Sequence, residues 1–140
     1  MTIEKSMRAA PDSRRRAAGR RGGALSESAQ IQPNPQRCCA LARCLAARHY
    51  EVPLADIAAR SRRSSRASRA RHVAIYLSHV ALGLPLGAVA AEFRRDRSTA
   101  EYACRVVEDA RDDPAFDAAL AGLELSAGIL VEFEHNEDGE

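Results

Sequence analysis

A chain of 140 residues has room for one compact domain plus tails, and an apolar share rich in alanine, with no tryptophan, suits closely approaching helices. The net charge of +2 conceals a polarity, because residues 1–75 hold 16 basic and 5 acidic groups while residues 76–140 hold 5 and 14. Such a chain favours contact with a polyanion on one side; with no 18-residue apolar run and no secretory apolar core at the N-terminus, a soluble, cytoplasmic protein with no membrane partner is expected.

Residues 1–34 contain SRRRAAGRRGG and then ALSESAQIQPNP, with few large apolar side chains to bury, and are expected to be a disordered basic tail. From Pro35 the spacing of Cys38, Leu41, Leu45 and His49 predicts a first helix to near Tyr50. Val52-Pro53 breaks it, and a short helix follows with Leu54, Ile57 and Ala58 inward. Between Arg60 and Arg71 lie six arginines and no acid, RSRRSSRASRAR, which reads as a basic loop leading to a helix capped by Ser68. That helix presents Val73, Tyr76, Leu77, Val80 and Leu84 inward, and Gly83 followed by Pro85 stops it.

A short helix from Pro85 then sets Leu86, Val89, Ala90 and Phe93 on one face. Three residues, Arg94-Arg95-Asp96, separate it from a helix burying Ala100, Ala103, Cys104 and Val107. Two helices joined by so short a turn make a helix-turn-helix, so the expected fold is a small all-α domain of that kind. After Pro114, Phe116, Leu120 and Leu123 form one more helical stripe. GILVEFE is open between strand and helix, and HNEDGE is an acidic tail. The expected division is a tail at 1–34, a DNA-binding domain at 35–124 and an acidic extension at 125–140.

The helix that begins near Asp96 leaves Arg97, Ser98, Glu101, Tyr102 and Arg105 outward. If that face enters a major groove its first residues meet base edges: Arg97 can bond guanine O6 and N7, and the Thr99 methyl can meet a thymine methyl. Asp96 either accepts from a cytosine amine or caps the helix, and Ser98-x-x-Glu101 also resembles a capping box in a shifted register. The basic loop, including Arg63, Arg66 and Arg69, adds a phosphate clamp that a structural helix start would not need. Two further potential phosphate contacts come from Arg94 and Arg95.

The segment ARHVAIYLSHVALGLPLGAVAAEFRRDRSTAEYACRVVED resembles the C-terminal DNA-binding domain of the bacterial replication initiator DnaA. The likeness extends to RHYEVPLADIAARSRR upstream and RDDPAFDAALAGLE downstream, about residues 37–124. Asp96-Arg97-Ser98-Thr99 and Ala103-Cys104-Arg105 occupy the places of that family's Asp-His-Thr-Thr and Ala-Cys-Arg signature. The resemblance implies that Asp96, Arg97, Ser98 and Thr99 face the major groove of a DnaA-box-like site in double-stranded DNA. It also implies that Arg63 enters the adjacent minor groove, whose narrow A/T form attracts guanidinium, and that Arg71 and His72 meet phosphate. Arg97 stands where the family most often has His, Ser98 where it has Thr, and Arg94-Arg95 replaces a glycine-containing turn, weakening the usual tight-turn chemistry.

No G-x-x-x-x-G-K-[ST] occurs, so the initiator's ATPase work is not expected, and neither H-E-x-x-H nor G-x-S-x-G points to an enzyme. Cys38, Cys39, Cys44 and Cys104 lack zinc-module spacing and read as buried free thiols; no metal or cofactor is expected. The expected function is sequence-specific DNA binding as a stand-alone regulator, associated with the nucleoid, with the full-length initiator as a competitor for sites. A second reading stays open at this stage: Glu101, Asp109, Asp112 and Asp113 also suit a protein-interaction module whose DNA surface has decayed.

Overall fold

The computed structural model describes residues 34–59 and 64–139. The basic segment 1–33 lies outside the described residues, as do Arg60, Ser61, Arg62 and Arg63 of the basic loop. Every regular element among the described residues is helical: α1 (Pro35–Tyr50), α2 (Leu54–Ala58), α3 (Ser65–Tyr76), a π-helical segment (Leu77–Ala81), α4 (Leu86–Glu92), α5 (Arg97–Ala110) and α6 (Pro114–Gly139). The all-α expectation holds, and GILVEFE is helical, within α6.

Helix α1 starts where Asn34 accepts from the backbone N–H of Gln36 and Arg37 at 2.8 and 3.2 Å, with Pro35 supplying a first position that needs no donor. Its buried face is not the expected stripe. Cys38 is buried, but Leu41 and Leu45 are only half-buried and His49 is exposed; Cys39, Ala42, Ala46 and Ala47 fill the interface instead. The reason lies opposite, in α3, where Ala67, Ala70 and Ala74 are also buried. Small side chains on both helices let the backbones approach, and that contact outcompetes the burial of two leucines. Cys44 is exposed, whereas the other three thiols are buried.

The cap of helix α3 lies four residues before the expected one. Ser64, in extended backbone, accepts from the Ala67 N–H at 3.0 Å, so Ser68 lies inside the helix together with Arg66 and Arg69. The earlier start comes with burial of Ala67 and Ala70. The π segment then adds a residue to the turn, closed by Leu82 N–H to Leu77 O at 2.9 Å, and this rotation leaves Val80 40% exposed while Leu77 and Leu84 stay inside. Gly83 ends the run at φ 74, a left-handed conformation that glycine adopts freely.

Helix α2 buries Ile57 alone; Leu54 and Ala58 are exposed, against expectation. Leu86, Val89, Ala90 and Phe93 of α4 and Ala100, Ala103, Cys104 and Val107 of α5 are buried as read from the sequence. Helix α6 passes residue 124 without a break and packs on α1 and the π segment through Leu120 and Ala127. Its first 20 residues, Pro114–Phe133, have mean hydropathy 1.4 and by length and composition alone suffice to cross a membrane. Acids at 117, 124 and 132 interrupt them, so an apolar average coexists with the lack of an unbroken apolar run.

Candidate nucleic-acid interface

The turn between α4 and α5 is a complete C-terminal capping motif. Arg94 N–H donates to Ala91 O at 3.1 Å and Arg95 N–H to Ala90 O at 2.9 Å, with Arg94 in the left-handed region at φ 55. The expected weakening of the turn does not take the form of a lost motif. Arginine occupies the glycine position and bears the steric cost, about 1 kcal/mol. Its side chain is exposed and makes no hydrogen bond or ion pair among the described residues.

Asp96 then holds the cap position of α5 in extended backbone, and its carbonyl accepts from Thr99 and Ala100 at 3.0 and 3.1 Å. Its carboxylate makes no capping bond, so the side chain is free of the structural role that the sequence left open. Arg97, Ser98, Thr99, Glu101, Tyr102 and Arg105 are all exposed, while Ala100, Ala103 and Cys104 beneath them are sealed. Burial, helped by Glu108 and Glu101, pushes the Cys104 thiol up to about 12, so this packing layer stays neutral. Tyr102 is 56% exposed and meets the ring of His72 edge-on at 5.9 Å, which joins α3 to the exposed face of α5.

The arginines of the basic run have a different fate. Arg71 is buried at 8% exposure and donates from Nε to Ile57 O and from a terminal nitrogen to Asp56 O, both at 2.8 Å. Burial lowers its pKa and the nearby Arg95 charge lowers it further, against the pull of Asp56. Its guanidinium is therefore committed to α2, not presented to phosphate as the resemblance implied. Arg69 lies over the Phe116 ring at 5.0 Å, and Arg66 reaches Tyr50 O at 3.5 Å while remaining exposed. Half-buried Arg95 donates to Ala59 O at 2.8 Å. Arg63 lies outside the described residues.

The acids raised by the second reading lie apart from the start of α5. Asp109 is 12 residues beyond Arg97, about 18 Å along the axis, and Asp112 and Asp113 are farther still. That separation exceeds a Debye length of about 8 Å, so only Glu101 shares the first turns with Arg97. At the far end Arg111 holds the junction with α6, bonding Asp117, Glu124 at 3.0 Å and the Tyr76 hydroxyl at 2.9 Å. None of this latch was read from the sequence.

Two stacked helices joined by a tight turn, the second with a polar, arginine-bearing exposed face, make a helix-turn-helix arrangement. The family model for the bacterial DnaA protein helix-turn-helix matches residues 44–107. A crystal structure of a DNA replication initiation factor is similar to this chain with a TM-score of 0.63 and 26% identity, covering 76% of this chain and 32% of that one. The chain thus spans about a third of that factor's length. No curated protein matches the sequence. The chain carries a DnaA C-terminal-like helix-turn-helix domain, a DNA-binding module.

Proposed function

We propose that this protein binds double-stranded DNA sequence-specifically at DnaA-box-like sites, as a regulator of transcription or of replication initiation that works without ATPase activity. The observation that supports it most is the exposed first turn of α5. Asp96, Arg97, Ser98 and Thr99 occupy the family's signature positions, and the Asp96 carboxylate is not spent on capping. Arg97 reads guanine O6 and N7, Thr99 offers a methyl to thymine, and Asp96 or Ser98 completes the pattern. Arg94, Arg105 and His72 flank this turn and hold phosphates, fixing register without reading sequence. By occupying boxes, the protein competes there with the full-length initiator.

A mobility-shift titration with a DnaA-box duplex and a scrambled duplex tests the proposal. Tighter binding of the box, with Arg97→Ala relaxing preference at one base-pair position, is the expected result. Equal affinity for both duplexes would remove sequence reading from the account. The interaction-module reading would gain from the absence of any duplex binding at low salt.

A further inference from the structure

Three carbonyls at the end of α2 are held by two guanidiniums that come from elsewhere. A helix leaves its last carbonyls without internal partners, and a helix of five residues has little else to fix its end. Asp56 O and Ile57 O accept from Arg71 of α3, and Ala59 O accepts from Arg95, 36 residues farther along in the turn of the helix-turn-helix. Each bond is 2.8 Å, and cations at a helix C-terminus also meet the negative end of its dipole. Arg71 and Arg95 lie close enough for the charge of one to lower the pKa of the other.

We infer that Arg71 and Arg95 are positioning residues for DNA binding, tying the end of α2 to the turn before the reading helix rather than contacting phosphate. The geometry is one of shared purpose: α3 grips α2 by a two-pronged guanidinium, and the turn grips the next carbonyl. The Ala59 anchor is thereby fixed relative to the first turn of α5. Arg71 is too buried to reach a phosphate, and the bond to Ala59 O holds the half-buried Arg95 guanidinium against the end of α2. The inference rests on the DNA-binding reading above, but its first test does not.

In the free full-length protein, backbone amide exchange across α2 is compared in Arg95→Ala, Arg95→Lys, Arg71→Lys and the exposed neighbour Arg94→Ala. Losing a charge-assisted bond should speed exchange in α2 about 10-fold in Arg95→Ala and in Arg71→Lys, which cannot reproduce the fork. Arg94→Ala should leave it unchanged, and Arg95→Lys should restore part of the protection. The second arm is the salt dependence of binding to a DnaA-box duplex. Arg95→Ala should weaken binding while keeping the log–log slope of the parent, whereas Arg94→Ala should make it shallower by about 0.9.

Unchanged exchange in Arg95→Ala, or a slope shallower by one phosphate in that variant, overturns the inference. If Arg71→Lys fails to fold, Arg95→Ala in the turn still decides. A parent chain that binds no duplex defeats the DNA-binding reading instead, and exchange then reports on the anchor alone.

Discussion

Arg71 and the arginines at 94, 97 and 105 share one chemistry and have opposite situations. Arg71 is sealed against α2, and in the same basic run Arg69 lies over a phenyl ring and Arg66 reaches a carbonyl. Arg94, Arg97 and Arg105 are exposed. A basic stretch is therefore a poor guide to a basic surface. What separates them is the helix stripe on which each residue falls: Arg71 shares the inward line of Ala67, Ala70 and Ala74, whereas Arg97 and Arg105 lie opposite Ala100, Ala103 and Cys104. A guanidinium facing inward must find acceptors, and the unsatisfied end of a short helix supplies them.

That contrast is broken most severely at Arg71. Replacing it in Arg71→Met leaves two carbonyls of α2 without donors, and the unfolding free energy should fall by about 3 kcal/mol in a urea titration. A loss below about 0.5 kcal/mol would mean that the buried group contributes little. Arg97→Ala should leave stability within about 0.5 kcal/mol of the parent while costing about 2 kcal/mol of discrimination at one base-pair position, measured by competition with single-substituted duplexes.

The sealed side of α5 gives a test in pH. The Cys104 thiol is raised from 9 to about 12 in the folded protein. A raised folded pKa means that the associated stability is complete below the unfolded value near 9 and is lost as pH climbs through about 12. Urea midpoints should therefore decline across that alkaline window, and Cys104→Ala should flatten the part of the decline that begins near 9. A parent midpoint that does not change over the window would contradict burial of a neutral thiol.

Arg94 supplies the smallest effect and sharpens the comparison, since it is exposed and yet conformationally costly. Arg94→Gly should stabilise the fold by about 1 kcal/mol, because glycine accepts φ 55 without steric penalty. The same variant should bind every duplex more weakly. Greater stability with undiminished affinity would show that the arginine is not retained for DNA.

Much of the helix-turn-helix is legible in the sequence, because Leu86, Val89, Ala90 and Phe93, then Ala100, Ala103, Cys104 and Val107, obey the helical period on both sides of a three-residue gap. The face of α1 was not, since leucines at 41 and 45 outweigh alanines in any hydropathy pattern, while closeness of approach depends on the partner helix. The role of Arg71 was hidden by the misplaced cap. Once α3 is capped at Ser64, the spacing of Ala67, Ala70, Arg71 and Ala74 points Arg71 inward, a signal carried by the alanines. Its acceptors and those of Arg95 were not readable, because a backbone carbonyl leaves no mark on residue identity. The Val80 error has a similar origin in the π segment, which shifts the period by one residue.

The central claim is that the exposed face of α5 reads sequence while flanking cations bind phosphate. Measuring affinity for a DnaA-box duplex and a scrambled duplex across a series of salt concentrations tests both parts at once. The account predicts a log–log slope of about −2.7 for the box, from three phosphate contacts, and an affinity for it at least about 1,000-fold above the scrambled duplex at physiological salt. Equal affinities with a shared slope would contradict it.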